Sequence, residues 1–414
     1  MPFFDHNATT PLWPVAREAW LRAQDEAWQN PSSPYRAAAQ VKIRLDAARE
    51  KIAILLGGRA EDYVFTSGAT EAANLVLAHW ARVLPPDAII AVNPTEHPCI
   101  RETAIHYFGD RIRWLDVSRD GVVSLKTAKP PQPVCHLLSD KQAGAPEGNG
   151  AEKDPEQCHL LGDIVQGVGA VVVMAANNET GVVQPWAEIA KACAEAGVPY
   201  LCDASQWLGK LPAGGLGDVG FVIGSAHKFG GPKGTGFLKL GSQAEGLRGQ
   251  LGGGQEHGHR GGTEDFPGIA AMAAALAEAE QKKVFQETER LRWRADFERA
   301  VALAVPGVRV VAAGADRLWN TVSLVMPFAD NTRWVARLDK RGFQVSTGSA
   351  CATGKDGPSH VLAAMGYAPE ESRRVVRVSA GWGTTEADWR ALAAALGEVA
   401  SELRGDAASV VGAV

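Results

Sequence analysis

Phe221-Val222-Ile223-Gly224-Ser225-Ala226-His227-Lys228-Phe229-Gly230-Gly231-Pro232-Lys233-Gly234 is the stretch on which the fold turns. Its short, β-branched apolar run predicts a buried strand over Phe221–Ser225. A glycine-rich turn follows, with Lys228 at the junction. A lysine at the end of a buried strand, flanked by Ser225 and His227, stands where a Schiff-base lysine sits beside a phosphate pocket. The same string also describes a surface lysine next to a turn, and taken alone it favours that plainer reading.

Outward from this point the pattern repeats. Runs at Tyr63–Thr66, 88–92, 171–175, 199–202 and 236–240 also predict strands, separated by helical stretches such as Ala69–Val83 and Trp186–Ala196. Alternation of this kind predicts an α/β fold, a largely parallel sheet covered by helices on both faces. After the glycine-rich run 251–262, one long Ala/Glu/Arg-rich helix is expected around 266–304, opening a smaller α+β domain. The polar stretch 139–163 has no hydrophobic period and reads as a surface insertion. The expected division is 14–260 for the large domain, with 139–163 inserted, and 1–13 with 261–414 for the small one.

At 414 residues the chain can bury an ample core without a metal or disulfide staple. A net charge of -5, free of long single-sign blocks, gives no footprint for nucleic acid or an anionic membrane, so a small-molecule ligand is expected. No apolar run reaches about 18 residues. Residues 1–10 lack a signal-peptide layout, and the expected location is the cytoplasm. The six cysteines are scattered, which predicts reduced thiols. Cys135-His136 and Cys158-His159 match no metal-ligand spacing, and no metal is expected.

Further strand ends carry chemistry. Asp203-Ala204-Ser205-Gln206 places a carboxylate where it could keep a pyridine nitrogen protonated, although a turn aspartate looks the same. Thr66-Ser67-Gly68-Ala69-Thr70-Glu71 joins a strand to a helix start, whose free N–H groups suit a phosphate. His97, after Pro94-Thr95-Glu96, could stack on a ring and move protons. Asn178 lies past another strand end, where ligands gather in open α/β sheets.

Together these segments resemble the cysteine desulfurases of the aminotransferase class V group, fold-type I pyridoxal-phosphate enzymes. The likeness runs from Asp5-His6-Asn7-Ala8-Thr9-Thr10-Pro11 through Asn30-Pro31-Ser32-Ser33 and the segments above, to Arg260-Gly261-Gly262-Thr263 and Ser349-Ala350-Cys351 to Arg377. It implies a mostly parallel seven-stranded sheet plus a smaller α+β domain, and pyridoxal 5′-phosphate as cofactor. Lys228 is then the lysine linked to the cofactor, Asp203 the partner of its ring nitrogen and Gln206 a donor to its ring hydroxyl. Ala69, Thr70, Ser225 and His227 would bind its phosphate, joined by Thr263 from the second subunit of a homodimer. His97 would stack on the ring and serve in catalysis, with Asn178 beside it. Asn178 and Arg377 would take the carboxylate of L-cysteine.

Cys351, in a run of small and polar residues, would receive the sulfur as a persulfide and pass it to an acceptor protein, for iron–sulfur cluster assembly or thio-cofactor and tRNA thiolation. The resemblance leaves two rivals: a selenocysteine lyase or other class V lyase, and an assembly subunit that turns over only when an acceptor docks. Trp382 stands where many members have an arginine, and Tyr35 where a histidine is usual.

Overall fold

The structure is a computed structural model that describes residues 2–124, 164–283, 288–348 and 358–411. Among these residues two sheets form. The larger contains β1 (Tyr63–Thr66), β2 (Ile90–Val92), β3 (Ile112–Trp114), β4 (Ala170–Val172), β5 (Tyr200–Asp203), β6 (Phe221–Ser225) and β7 (Gly236–Lys239). Their spatial order is β1-β7-β6-β5-β4-β2-β3. β7 pairs antiparallel with β1 and β6, and the other neighbours pair in parallel. Every strand except β7 therefore points its carboxyl end to the same edge.

Apart from the edge strand β3, both faces of this sheet are buried, so its strands are mostly apolar. Tyr63, Phe65, Tyr200, Cys202 and Val222 face one core, while Val64, Leu201, Phe221 and Ile223 face the other. This is the period of two expected of a strand covered on both sides. The helix Ala69–Val83 buries Ala72, Ala73, Val76, Leu77 and Trp80, a stripe at helical spacing, against the second core. The helix Phe266–Lys282 packs into the first core, alongside Pro14–Glu26 and Arg36–Leu56.

The smaller sheet, β8 (Arg309–Val310), β9 (Thr321–Val325) and β10 (Val375–Ser379), is antiparallel in the order β10-β9-β8. It packs on the helices Asn331–Lys340 and Glu386–Val411 through Trp334, Leu338, Trp389 and Leu396. Residues 3–10 tie the two sheets together. Asp5 bridges to Ser379 on the smaller sheet and Phe3 to Gln344 beside it, and the Thr10 N–H donates to the His227 carbonyl just beyond β6 of the larger one at 2.9 Å.

The α/β class and the strands β1 and β6 are as the sequence predicts. β3 is not anticipated, because Ile112-Arg113-Trp114 is a half-covered edge strand with no clear alternation. The single helix expected over 266–304 is two, Phe266–Lys282 and Thr288–Ala304; the first stops at Lys283, which takes a left-handed conformation with φ 47°. The insertion 139–163, with Cys158-His159, lies outside the described residues, as does Cys135-His136.

One close approach fixes how the helix Arg36–Leu56 docks. A Cβ at Gly217 would lie 2.1 Å from the Gly57 carbonyl carbon, so two backbones touch there. Gly217→Ala should therefore destabilise the fold by about 1–3 kcal/mol through overpacking, read as a lower urea midpoint at unchanged slope. An unchanged midpoint would mean that the two segments part at little cost.

Candidate active site

The carboxyl edge of the large sheet opens into a cavity of about 460 Å3. Five strand ends supply its walls. β1 leads into Ser67, Gly68, Ala69 and Thr70; the segment after β2 brings His97; that after β4 brings Asn178; β5 ends in Asp203; and β6 ends in Ser225, with His227 and Lys228 beyond. Crevices at the carboxyl ends of parallel strands are where α/β proteins bind ligands, because every loop there converges.

At one end the chain is built for an anion. Gly68 sits at φ 149° ahead of the helix, and a Cβ there would stand 3.4 Å from the Ser225 Oγ. The bare backbone leaves the first N–H groups of the helix open to the cavity, with the Ser225 and His227 side chains opposite. Glu71 braces this turn by accepting from the Ser67 N–H at 2.7 Å and from Arg260 Nε at 2.9 Å.

Deeper in, Lys228 Nζ donates to the Asn7 carbonyl at 2.8 Å and the Ala8 carbonyl at 2.9 Å. Asp203 Oδ1 accepts from the Ser205 N–H at 2.8 Å. Gln206 Nε2 donates to the Asn7 carbonyl at 2.9 Å. Two polar atoms that border the cavity, Asn178 Oδ1 and Ser205 Oγ, are buried with no partner among the described residues. Such orphans are costly unless a ligand meets them.

His97 caps the helix Pro98–Phe108, its Nδ1 accepting from the Cys99 N–H at 3.2 Å, which leaves Nε2 to carry the ring proton of the neutral form. Burial is the main force lowering its pKa; the Lys228 and His360 charges add to it, and the Asp203 carboxylate opposes it. His227 is lowered to about 4, first by burial and then by Lys228 and Lys233. Glu96, wholly buried, is raised well above the carboxylate range by burial and by Asp203.

Arg377 lies beside the cavity but does not line it. Its guanidinium donates to Asp5 Oδ1 at 2.6 Å, to the Asn178 carbonyl at 3.0 Å and to the Gly348 carbonyl at 2.9 Å. Thr263 is exposed and away from its own chain's cavity, in a loop tied by the Gly261 N–H to the Gln250 carbonyl at 2.7 Å. Cys351 lies outside the described residues. The sequence reading missed Cys99, Glu71, Met174 and Lys233, which also line the cavity.

The aminotransferase class V family matches residues 2–131 and 150–392. An IscS-like cysteine desulfurase of Mycobacterium tuberculosis is 33% identical over 400 residues, covering 94% of this chain and 93% of its own. The chain belongs to the cysteine desulfurases of aminotransferase class V. A second relative in this family, the cysteine desulfurase of Frankia sp., is 35% identical over 403 residues and covers 95% and 90% of the two chains. Among solved structures, a NifS-like protein superposes with a TM-score of 0.80 at 26% identity, over 97% of this chain and 99% of that one. The structure of SspA in complex with cysteine does so at 0.72, also with 26% identity, over 92% and 99%.

For this class V member the departures at Trp382 and Tyr35 have a structural setting. Trp382 stacks on Trp13, with ring centroids 4.0 Å apart and planes 16° from parallel, and meets His6 edge-on. Tyr35 is half exposed at the start of the helix Arg36–Leu56.

His6, buried beneath Trp382, is lowered to about 4 by burial and then by the Lys210 charge. His6 and His227 thus stay neutral in the folded chain between about 4 and the ordinary 6.5, while the unfolded chain takes up protons there. Their contribution to stability is complete above 6.5 and is lost as the pH falls toward 4. Melting temperature should drop on acidification from about pH 7 to about pH 5, and His6→Gln should flatten that slope; an equal slope in both proteins would show that His6 takes no part.

Proposed function

We propose that this desulfurase uses pyridoxal 5′-phosphate to take sulfur from L-cysteine, releasing L-alanine and leaving a persulfide on Cys351 for an acceptor protein. The observation that carries the reading is the convergence of an anion-binding helix start, a lysine amine and a buried carboxylate on one cavity from three separate strand ends. The open backbone at Gly68, and the orphaned Asn178 Oδ1 and Ser205 Oγ, support a fit for a polar, phosphate-bearing group.

Bound there, pyridoxal phosphate would supply an aldehyde that links to amines and an electron-poor ring that acidifies the Cα proton of a linked amino acid. The residues divide the remaining work. Ala69 and Thr70, with Ser225 and His227, would hold the phosphate, and Asp203 would favour a positive charge at the ring nitrogen. Gln206 would donate to the ring hydroxyl, and His97 would stack on the ring. Asn178 would meet the substrate carboxylate, with Arg377, which holds the Asn178 carbonyl from behind, beside it. Lys228, poised between two carbonyl acceptors, removes the Cα proton and returns it elsewhere on the substrate. The Cys351 thiolate then attacks the substrate sulfur. A sulfur–sulfur bond forms, the carbon–sulfur bond breaks, and its electron pair leaves with the three-carbon fragment, which is protonated to alanine.

The protein acts as a homodimer in the cytoplasm, with the exposed Thr263 reaching the partner's phosphate site. No helix among the described residues is long and apolar enough to cross a membrane. The function is tested by incubating the purified protein, loaded with pyridoxal phosphate, with L-cysteine and reductant. Stoichiometric alanine and sulfide are expected; cofactor uptake without alanine would refute unassisted turnover of cysteine, and the same assay with selenocysteine or an added acceptor protein would then separate a lyase from an acceptor-dependent subunit.

A further inference from the structure

Below the floor of the cavity lies a cation that the chemistry above does not use. Lys210 is 4% exposed, and among the described residues its Nζ donates to Gln206 Oε1 at 2.8 Å. Among the described residues no carboxylate pairs with it. Burial, reinforced by the charges of Lys228 and Arg377, lowers its pKa to about 7. Burying an ammonium against a neutral amide is expensive, so its placement calls for a use.

The local fold delivers Lys210 to this spot. Gly209, at φ 72°, presses its backbone on Phe229, where a Cβ would lie 2.6 Å from the Phe229 Cβ. The turn after β5 thereby closes against the residue that follows Lys228. The Lys210 N–H donates to the Trp207 carbonyl at 3.0 Å, and Trp319 Nε1 donates to the Lys210 carbonyl at 2.9 Å, so the lysine backbone is held from both sides.

An ammonium has three donors and no acceptor. As an ammonium facing Gln206 it can bond only to Oε1, and together with the Asn7 carbonyl on the other side it fixes the orientation of the amide. Nε2 must then face the other way, and one of its two hydrogens goes to the Asn7 carbonyl. Gln206 also lines the cavity, so the second hydrogen is free for an acceptor there. The Asn7 carbonyl in turn accepts from Lys228 Nζ. Lys210, Gln206, the Asn7 carbonyl and Lys228 form one hydrogen-bonded line.

We propose that Lys210 is a positioning residue that locks the Gln206 carboxamide with its donor face toward the cavity and the Asn7 carbonyl. Without it the amide can turn over, offering an acceptor to the cofactor hydroxyl and to the carbonyl shared with Lys228. The inference rests on the pyridoxal phosphate reading above and adds to it the residue that sets the polarity of one wall.

The test is equilibrium binding of pyridoxal 5′-phosphate to cofactor-stripped protein, followed by the absorbance of the lysine-linked chromophore and its pH midpoint. Lys210→Met, of similar volume, should bind about tenfold more weakly, the size of one lost or reversed hydrogen bond, and should shift the midpoint. Lys210→Arg should restore binding to within about threefold, since it still only donates. In a Gln206→Ala background Lys210→Met should have no further effect, because a residue acting through another is not additive with it. Gln206→Glu keeps the pairing with Lys210 and replaces the donor face, so it should lose affinity as Lys210→Met does. Wild-type affinity and midpoint in Lys210→Met, a full additional loss in the Gln206→Ala background, or wild-type affinity in Gln206→Glu would each overturn the proposal. Wild-type protein that takes up no pyridoxal phosphate overturns the cofactor reading as well, and so the two failures differ.

Discussion

Lys228→Ala is expected to lower alanine formation from L-cysteine by roughly four orders of magnitude, because in the proposed mechanism the same amine both holds the cofactor and moves the Cα proton. Among the described residues the fold gives no substitute. Lys228 Nζ sits between the Asn7 and Ala8 carbonyls, and a buried lysine near the cavity, Lys210, is turned toward Gln206. Lys233 is exposed at the rim. The phosphate end of the cavity is untouched by the substitution, so the variant should still take up cofactor while losing the lysine-linked absorbance band. Steady-state alanine assay beside that spectrum checks both halves. A variant within tenfold of wild type would mean that another base acts and that Lys228 serves only as a tether.

Cys351→Ala should abolish turnover just as completely, by a different route. In the proposed mechanism its thiolate is the nucleophile that splits the carbon–sulfur bond, and two of the described cysteines are poorly placed for that work. Cys193 and Cys202 are in the core, where burial pushes their thiols up to about 12 in the first case and higher in the second. Cys99 does line the cavity, half buried at the start of the helix Pro98–Phe108. The expected outcome is a protein that binds cofactor normally, changes absorbance when L-cysteine is added and releases no alanine. Mass spectrometry of the wild type after L-cysteine should find one extra sulfur on the peptide that carries Cys351. Extra sulfur on Cys99, with alanine still formed by Cys351→Ala, would move the acceptor role to Cys99.

What could be read from the sequence followed strand ends. Lys228, Asp203 and Thr70 were legible because a buried strand that stops at a polar residue signals the ligand-binding edge of a parallel sheet. Lys210 was not, since Gly209-Lys210 in a turn reads as an exposed lysine until Phe229 and Trp319 are seen to cover it. Nor were the acceptors of the Lys228 amine: they are main-chain carbonyls 221 and 220 residues away, and a carbonyl leaves no mark in residue type. The ion pair of Glu71 with Arg260 joins residues 189 apart for the same reason of distance. The helix break at Lys283 rests on one left-handed residue with no glycine or proline to announce it.

The segment 3–10 has a consequence for how the enzyme is made. Asn7 supplies the carbonyl under Lys228, yet its own N–H is held by Ser379 Oγ, 372 residues further along, and Asp5 is fixed by Arg377 on the same late strand. On the ribosome segment 3–10 must therefore wait, unplaced, until β10 has emerged. Contacts of such sequence separation form late. The large sheet can collapse before then, but the lysine will not meet its acceptors until β10 is in place, so cofactor capture should follow the pairing of segment 3–10 with that strand.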